Sequence, residues 1–414
     1  MKDRQPTQPG RVKLTPENGT SPFYAVMEMA DEPTEVGTPP TKANLLQDET
    51  EFALFGNLAD RTVNDAFVGV AAELRTIRMR LDNVSTLSVT LRSTQGNALP
   101  DVYIQGMFDA NGNTCITNSA GVASGYVSEG SVTLGVIGYA DIVDYTETFT
   151  ATAGEEYTKV LTVTTRNFMK VTSSKNVKFS GNVTRIDASV VGGGAGGAAA
   201  CNNNSRLASG AGGAGGIVVT RTDIAIEANK QYQVVVGAGG TGGTPNANGG
   251  TGGGTSSAFG ITATGATACK LANLTLSTAT VSTTGTGNGL GGKGVTSTNA
   301  AVNGNAGGNG TVAAFTSFTE TATLGAGGGS GSVYAGTAGN GGTTGGGNGG
   351  KNSSHSSSSG QNGGAATANT GSGGGGGGAT AYFDGDDDAW KYFVGYGGKG
   401  ADGVVAIRVH LSVA

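Results

Sequence analysis

The sequence predicts a mostly β, multidomain chain. It comprises a small N-terminal segment (1–60), a short coiled-coil helix (61–84), an antiparallel β-sandwich (85–168) and a glycine-rich domain of β-strands plus polyproline-II-type helices (169–414). Three observations predict it. Hydrophobic residues recur at alternating four- and three-residue spacing ahead of residue 85, the period of a helix seam. They recur every second residue from there to about residue 165, with turn signals between the runs. Of the 77 glycines, 15 precede Val191 and 62 follow it, so two physical regimes share one polypeptide.

The N-terminal segment mixes short apolar runs with Pro, Gly and Thr, and its turn signals are dense. A short helix is expected from Thr41 into Phe55, capped by Thr41 and burying Leu45, Leu46, Phe52 and Phe55. The next segment carries the cleanest period in the chain. Phe67, Leu74 and Leu81 fall at heptad position a, and Val63, Val70, Ile77 and Val84 at d. Leu at a with Ile or Val at d favours three or four strands, and Glu73 at g can face Arg78 at the following e of a parallel neighbour. The spacing therefore points to a homotrimer, or to an amphipathic helix that covers its own domain. Beyond it, LSVTLRS, DVYIQGMF, SVTLGVIGY and TKVLTV read as strands, with QGN, DANGN, NSAG and TAGEE as turns. "NALPDVYI", "TNSAGVASGYV" and "VTLGVIGYAD" resemble the carboxypeptidase-regulatory-like sandwich, which implies a fold rather than an activity.

In the glycine-rich part, RIDASVV, IVVTRT, QYQVVV and the closing GVVAIRVHLSV read as strands. Collagen is excluded because the strict triplet is absent and the chain has only 9 prolines. A flexible linker is the alternative, yet these tracts alternate with patterned strands and end in one. Extended polyproline-II helices fit better. They repeat every three residues, and with hydrogens for side chains they can approach until their backbones bond to one another. Ordering glycine costs about 0.5–1 kcal/mol more per residue than alanine, so such a bundle requires nearly every interior backbone group to be paired.

Charge and composition exclude several classes. The formal charge is −5 and Lys and Arg are scattered, so no nucleic-acid partner is expected. The polar start MKDRQPTQPGRVKL lacks the apolar core of a signal peptide, and no apolar run is long enough for membrane insertion. Assembly in a cytoplasm is the expectation. Cys115, Cys201 and Cys269 are odd in number and far apart, which argues for free thiols. No cofactor motif survives: GNGLGGKG and GGGNGGKN lack the Ser or Thr that a phosphate loop needs after its lysine. His355 and His410 lack a plausible shared site, and no paired carboxylates are patterned for glycoside cleavage, so the expectation is a non-enzyme.

The strongest binding candidate lies where six glycines run into the only tryptophan. Tyr382, Phe383, Trp390, Tyr392, Phe393 and Tyr396 cluster there, and Trp and Tyr are enriched at binding hot spots. The other reading is that alternate members, such as Tyr392 and Val394, bury one edge of the bundle; the segment can do both. Asp384, Asp386 and Asp388 alternate as in a calcium loop, but the twelfth position holds Gly395 instead of glutamate, which leaves a solvated acidic loop as the alternative. Phe315, Phe318 and Tyr334 lie in other inserts that can share this end of the bundle.

Two stretches carry a family resemblance. "PGRVKLTP…MADEPTEVGTPPTKANLLQDETEFALFG" resembles the start of phage tail-fibre or tail-tip proteins. "RIDASVVGGGAGG", "GAGGAGGIVVTRTDIAIEANKQYQVVVGAGGTGG" and "GGKGADGVVAIRV" resemble the glycine-rich domain at the ends of such fibres. The resemblance implies a virion tail location, other tail or baseplate proteins as partners, and a host cell-surface carbohydrate or protein as receptor. In such adhesins layered polyproline-II helices carry variable loops that touch the host cell.

Overall fold

The computed structural model describes residues 12–17, 24–29, 63–203, 206–247, 249–270, 273–274, 279–280, 285–298, 300–312, 323–343, 345–351 and 360–411. The helix expected from Thr41 into Phe55, and Phe315, Phe318 and His355, lie outside the described residues. The chain divides into two compact units. One is Met1–Ser85 with Ser128–Gly130 and Ala151–Glu156; the other is Thr86–Val127 with Ser131–Thr150 and Tyr157–Ala414.

In the first unit β1 (Val12–Glu17) and β2 (Tyr24–Met29) pair antiparallel, from Val12 opposite Met29 to Glu17 opposite Tyr24. Helix α1 (Val63–Leu81) follows the heptad stretch. It ends where the Asp82 N–H donates to the Arg78 carbonyl at 2.9 Å and Asn83 turns left-handed (φ 53°), a conformation asparagine tolerates at helix ends. Val84 therefore does not extend the seam as its spacing suggests; it opens the next strand. Val70, Leu74 and Ile77 are 37%, 60% and 51% exposed, whereas Met79, off the seam, is buried. Arg78 pairs with Asp82 at 3.7 Å on the open surface, a contact of little energetic weight. The side chains of Val63, Phe67, Glu73 and Leu81 lie outside the described residues.

Strands β3 (Val84–Ser93), β4 (Tyr103–Phe108), β5 (Thr114–Ile116), β6 (Val122–Ser128), β7 (Gly130–Val136), β8 (Tyr145–Ala151) and β9 (Glu156–Val163) form one hydrogen-bonded path. Its order is β8-β7-β4-β6-β3-β9, with β5 on β4. Alternation in β3 buries Leu87, Val89 and Leu91, which join Ile104, Leu134 and Leu161 in the interior. Gly96, Gly112, Gly121 and Gly154 supply positive φ in the four turns read from the sequence.

The glycine-rich part is docked on this sheet within the second unit. The Tyr139 hydroxyl donates to Asn229 Oδ1 at 2.7 Å and accepts from the Tyr103 N–H at 2.8 Å. Asn182 Nδ2 donates to the Ala98 carbonyl at 2.8 Å, and the Gly181 N–H to Pro100 at 2.9 Å. The buried Asp141 accepts from the hydroxyl and N–H of Ser180 at 2.5 and 3.1 Å, yet burial pushes its carboxyl above the usual range.

Beyond this junction come β10 (Phe168–Val171), β11 (Lys175–Val177), β12 (Val183–Val191), β13 (Val218–Ala225), β14 (Tyr232–Val234), β15 (Ser256–Ala258) and β16 (Ile261–Ala263). The hairpin β17 (Ala379–Asp384) and β18 (Ala389–Val394) and the closing β19 (Val404–Leu411) are the remaining longer strands, beside two-residue pairings such as Cys201–Asn202 with Leu207–Ala208. An all-antiparallel sheet runs β10-β19-β12-β13, with Asp187 opposite Arg408 and Val190 opposite Val405. Its buried Ile186, Val190 and Ile407 pack with Phe179, Val234 and Ile261.

The glycine tracts pair through their backbones with a cycle of three. Successive N–H groups of one tract point to three partners in turn: Gly193 to Gly254, Gly194 to Ala401, Ala195 to Ala214. The cycle then repeats with Gly196 to Thr251, Gly197 to Gly398 and Ala198 to Ala211. Each repeat steps three residues back along the partner, so the paired tracts run antiparallel. Ala195, Ala198, Ala211 and Ala214 are all fully buried, at positions where a methyl fits. At Gly197 it does not: a Cβ there would overlap the Gly375 carbonyl.

Candidate functional site

The six-glycine run Gly373–Gly378 is buried, and its groups are fully paired. Its N–H groups donate in order to Ala326, Ala195, Gly364, Gly329, Ala198 and Gln361, at 2.7–3.0 Å. Its carbonyls accept in order from Gly347, Gly213, Gly398, Gly350, Gly210 and Gly395, again at 2.7–3.0 Å. A residue with no side chain permits this packing because every flank is a neighbouring backbone.

Hairpin β17–β18 continues directly from this run. Cross-strand pairing puts Phe383 opposite Trp390, Ala381 opposite Tyr392 and Ala379 opposite Val394, all on one face. The inner half of that face is packed: Tyr392 and Val394 lie against Ala200, Leu207, Val333, Tyr334, Ala379 and Ala381. Tyr334, expected to share this end, is buried there and donates its hydroxyl to the Thr298 carbonyl at 2.7 Å. The outer half is open, with Phe383 49% and Trp390 53% exposed. Their rings meet edge to face, centroids 5.7 Å apart at 69°. On the opposite face the Tyr382 and Phe393 rings stack at 5.7 Å, half-buried. Tyr396 follows the hairpin and is exposed.

The acidic turn is organised by its own contacts. The Asp386 N–H donates to Asp384 Oδ1 at 3.1 Å, Asp388 adopts a left-handed φ of 46°, and Asp387 pairs with Lys391 at 2.6 Å. The Lys391 ammonium holds the Asp387 carboxyl below its ordinary range. Among the described residues no three His, Cys, Asp or Glu side chains converge as metal ligands, so Asp384, Asp386 and Asp388 are not gathered into a site.

Sequence reading missed one charged cluster. Asp187 on β12 is buried and receives Arg408 Nε at 2.7 Å, the Asp223 N–H at 2.9 Å and His410 Nε2 at 3.0 Å. Burial alone would raise its carboxyl, but these donors outweigh it and hold it below the usual range. Adjacent Arg185 pairs with Asp223. The signal was present as a charge inside RIDASVV opposite IRVH, legible only once the strands are known to pair. The three cysteines are buried and in no disulfide; burial lifts all three thiols, Cys201 to about 11, away from reactive thiolate.

Comparison with known proteins gives one family. No match is found among curated proteins. Among solved structures, a crystal structure of a DUF3823 family protein from Parabacteroides merdae matches at 16% identity, over 37% of this chain and 89% of that one. Its TM-score of 0.17 carries no argument about fold. The glycine-rich domain family matches residues 170–410, the span that holds the paired tracts, the four-stranded sheet and the aromatic hairpin. The chain belongs to the glycine-rich domain family.

Proposed function

We propose that this chain is a phage tail-fibre or tail-tip protein, a non-enzymatic adhesin. In this reading its N-terminal segment attaches to tail or baseplate proteins, and α1 joins three copies through its apolar seam. The following sheet, in the manner of a carboxypeptidase-regulatory-like sandwich, spaces the distal domain. That domain then recognises a host-surface carbohydrate or protein, and three linked copies raise avidity.

The observation that carries the reading is the open Phe383–Trp390 pair standing on a fully paired glycine run. Aromatic rings held on a rigid base lose little freedom on binding. The glycine tracts read as polyglycine-II-type helices, supported by the three-residue cycle of their hydrogen bonds. Exposure of Val70, Leu74 and Ile77 supports self-association.

The test is adsorption of full-length protein to host cells, wild type against Phe383→Ala/Trp390→Ala. Loss of adsorption with unchanged thermal unfolding supports the reading. Unimpaired adsorption by a well-folded double variant counts against it. A purely structural tail component is the second reading, favoured by the packing of Tyr392 and Val394 into the bundle. It predicts intact particles whose adsorption ignores these substitutions.

A further inference from the structure

A lattice of backbone hydrogen bonds has an edge problem. Inside, each tract's N–H groups meet carbonyls of three neighbours; on an outer tract one direction faces outward. An outward row of unpaired N–H groups is a template for another chain, as at the edge of a β-sheet. Its natural occupant is a glycine tract of a second copy, because glycine-tract carbonyls fill this role throughout the interior.

At several exposed positions the N–H at the edge is taken by an asparagine side chain instead, as at Gly341 by Asn348, and three of them share one geometry. Asn303 Oδ1 accepts from the Thr337 N–H at 2.8 Å, and the next residue, Gly304, donates its N–H to the Thr337 carbonyl at 2.8 Å. Asn362 Oδ1 accepts from the Tyr396 N–H at 2.9 Å, and Gly363 donates to the Tyr396 carbonyl at 2.8 Å. Asn309 Oδ1 accepts from the N–H of Thr343 at 3.1 Å and from its hydroxyl at 2.9 Å. All three asparagines precede a glycine and reach a residue 34 positions onward.

We propose that these Asn–Gly steps are clamps that close the lattice edge against glycine tracts of a second copy. A carboxamide oxygen has the acceptor chemistry of a peptide carbonyl, but it sits on a side chain that ends there. It satisfies the last N–H and offers no continuing tract.

The experiment compares the full chain with Asn303→Ala/Asn309→Ala/Asn362→Ala and with the same three positions as Asp, which keep an acceptor oxygen. Amide hydrogen exchange at Thr337, Thr343 and Tyr396 should quicken about fivefold to tenfold in the Ala variant. Sedimentation should then show concentration-dependent species larger than those of the wild-type protein. The Asp variant should keep both exchange protection and wild-type size. Single Asn303→Ala, read at Thr337, serves if the triple variant does not fold. Wild-type exchange in the Ala variants overturns the proposal. So does faster exchange without growth in size, or an Asp variant that behaves like Ala.

Discussion

Gly375→Ala separates a packed lattice from a flexible glycine chain by the sign of its effect. In a flexible or permissive setting Gly→Ala stabilises by about 0.4–1 kcal/mol, because it removes freedom from the unfolded chain. In this structure an added Cβ at Gly375 stands 2.5 Å from the Asn348 carbonyl carbon and nearer still to its oxygen. Ordinary Cβ contacts begin at 3.4 Å, so the facing tract must retreat by at least 0.9 Å. Such overpacking costs about 1–3 kcal/mol. Retreat also strains the bonds that tie the Asn348 tract to this run, from the Gly347 N–H to Gly373 (3.0 Å) and from the Gly350 N–H to Gly376 (2.8 Å). Each buried group left unpaired costs a further 1–3 kcal/mol, roughly. The expected loss is about 3–9 kcal/mol, comparable with a whole domain's stability of about 5–15. The assay is denaturant unfolding of the full chain, with Gly385→Ala as control, since a Cβ there meets nothing within 4 Å. The control should stay within about 0.5 kcal/mol of wild type. A Gly375→Ala protein as stable as wild type, or more so, refutes the close-packed lattice.

Leu74→Asp/Ile77→Asp should lower the sedimenting mass from that of the proposed trimer to that of one protomer while leaving the β circular dichroism unchanged, because both side chains are largely exposed within one protomer. Thr380→Val should raise stability by about 1 kcal/mol in denaturant unfolding, because the buried Thr380 hydroxyl has no hydrogen-bond partner and valine keeps its shape. Two buried carboxyls should show opposite pH signatures in unfolding series. Asp187 is held low, so its contribution is present above about pH 4 and lost as pH falls through its folded value; Asp187→Asn should flatten that acid limb. Asp141 is held high, so its contribution is present below about pH 4 and lost as pH rises through its folded value; Asp141→Asn should flatten that loss.

Element type was legible wherever side chains impose a period. Leu87, Val89 and Leu91 announce a half-buried strand, and the sequence places β3, β4, β7 and β9 together with their glycine turns. β8, whose threonines are exposed and whose other face fully buries only Ala151, lacks that contrast and was not anticipated. Val84 shows the limit of spacing: it keeps the heptad count, but Asn83 has already turned the chain out of the helix. The aromatic hairpin was visible as a cluster. Which of its rings face out was not, because alternation marks two faces without naming the buried one. Tertiary packing decided that, covering Tyr392 with Tyr334 and leaving Trp390 open.

By itself the sequence determined that this is a β-rich chain whose second half depends on glycine, and that alanine interrupts the glycine at intervals. Only the tertiary structure decided which tract touches which. A glycine tract offers identical N–H and C=O groups every three residues, so its local chemistry is blind to register and partner. Selection comes from what lies outside the tracts: strands β12 and β19 that anchor their ends, methyls that fit at Ala195 and Ala214 but not at Gly197, and asparagines that finish the edge.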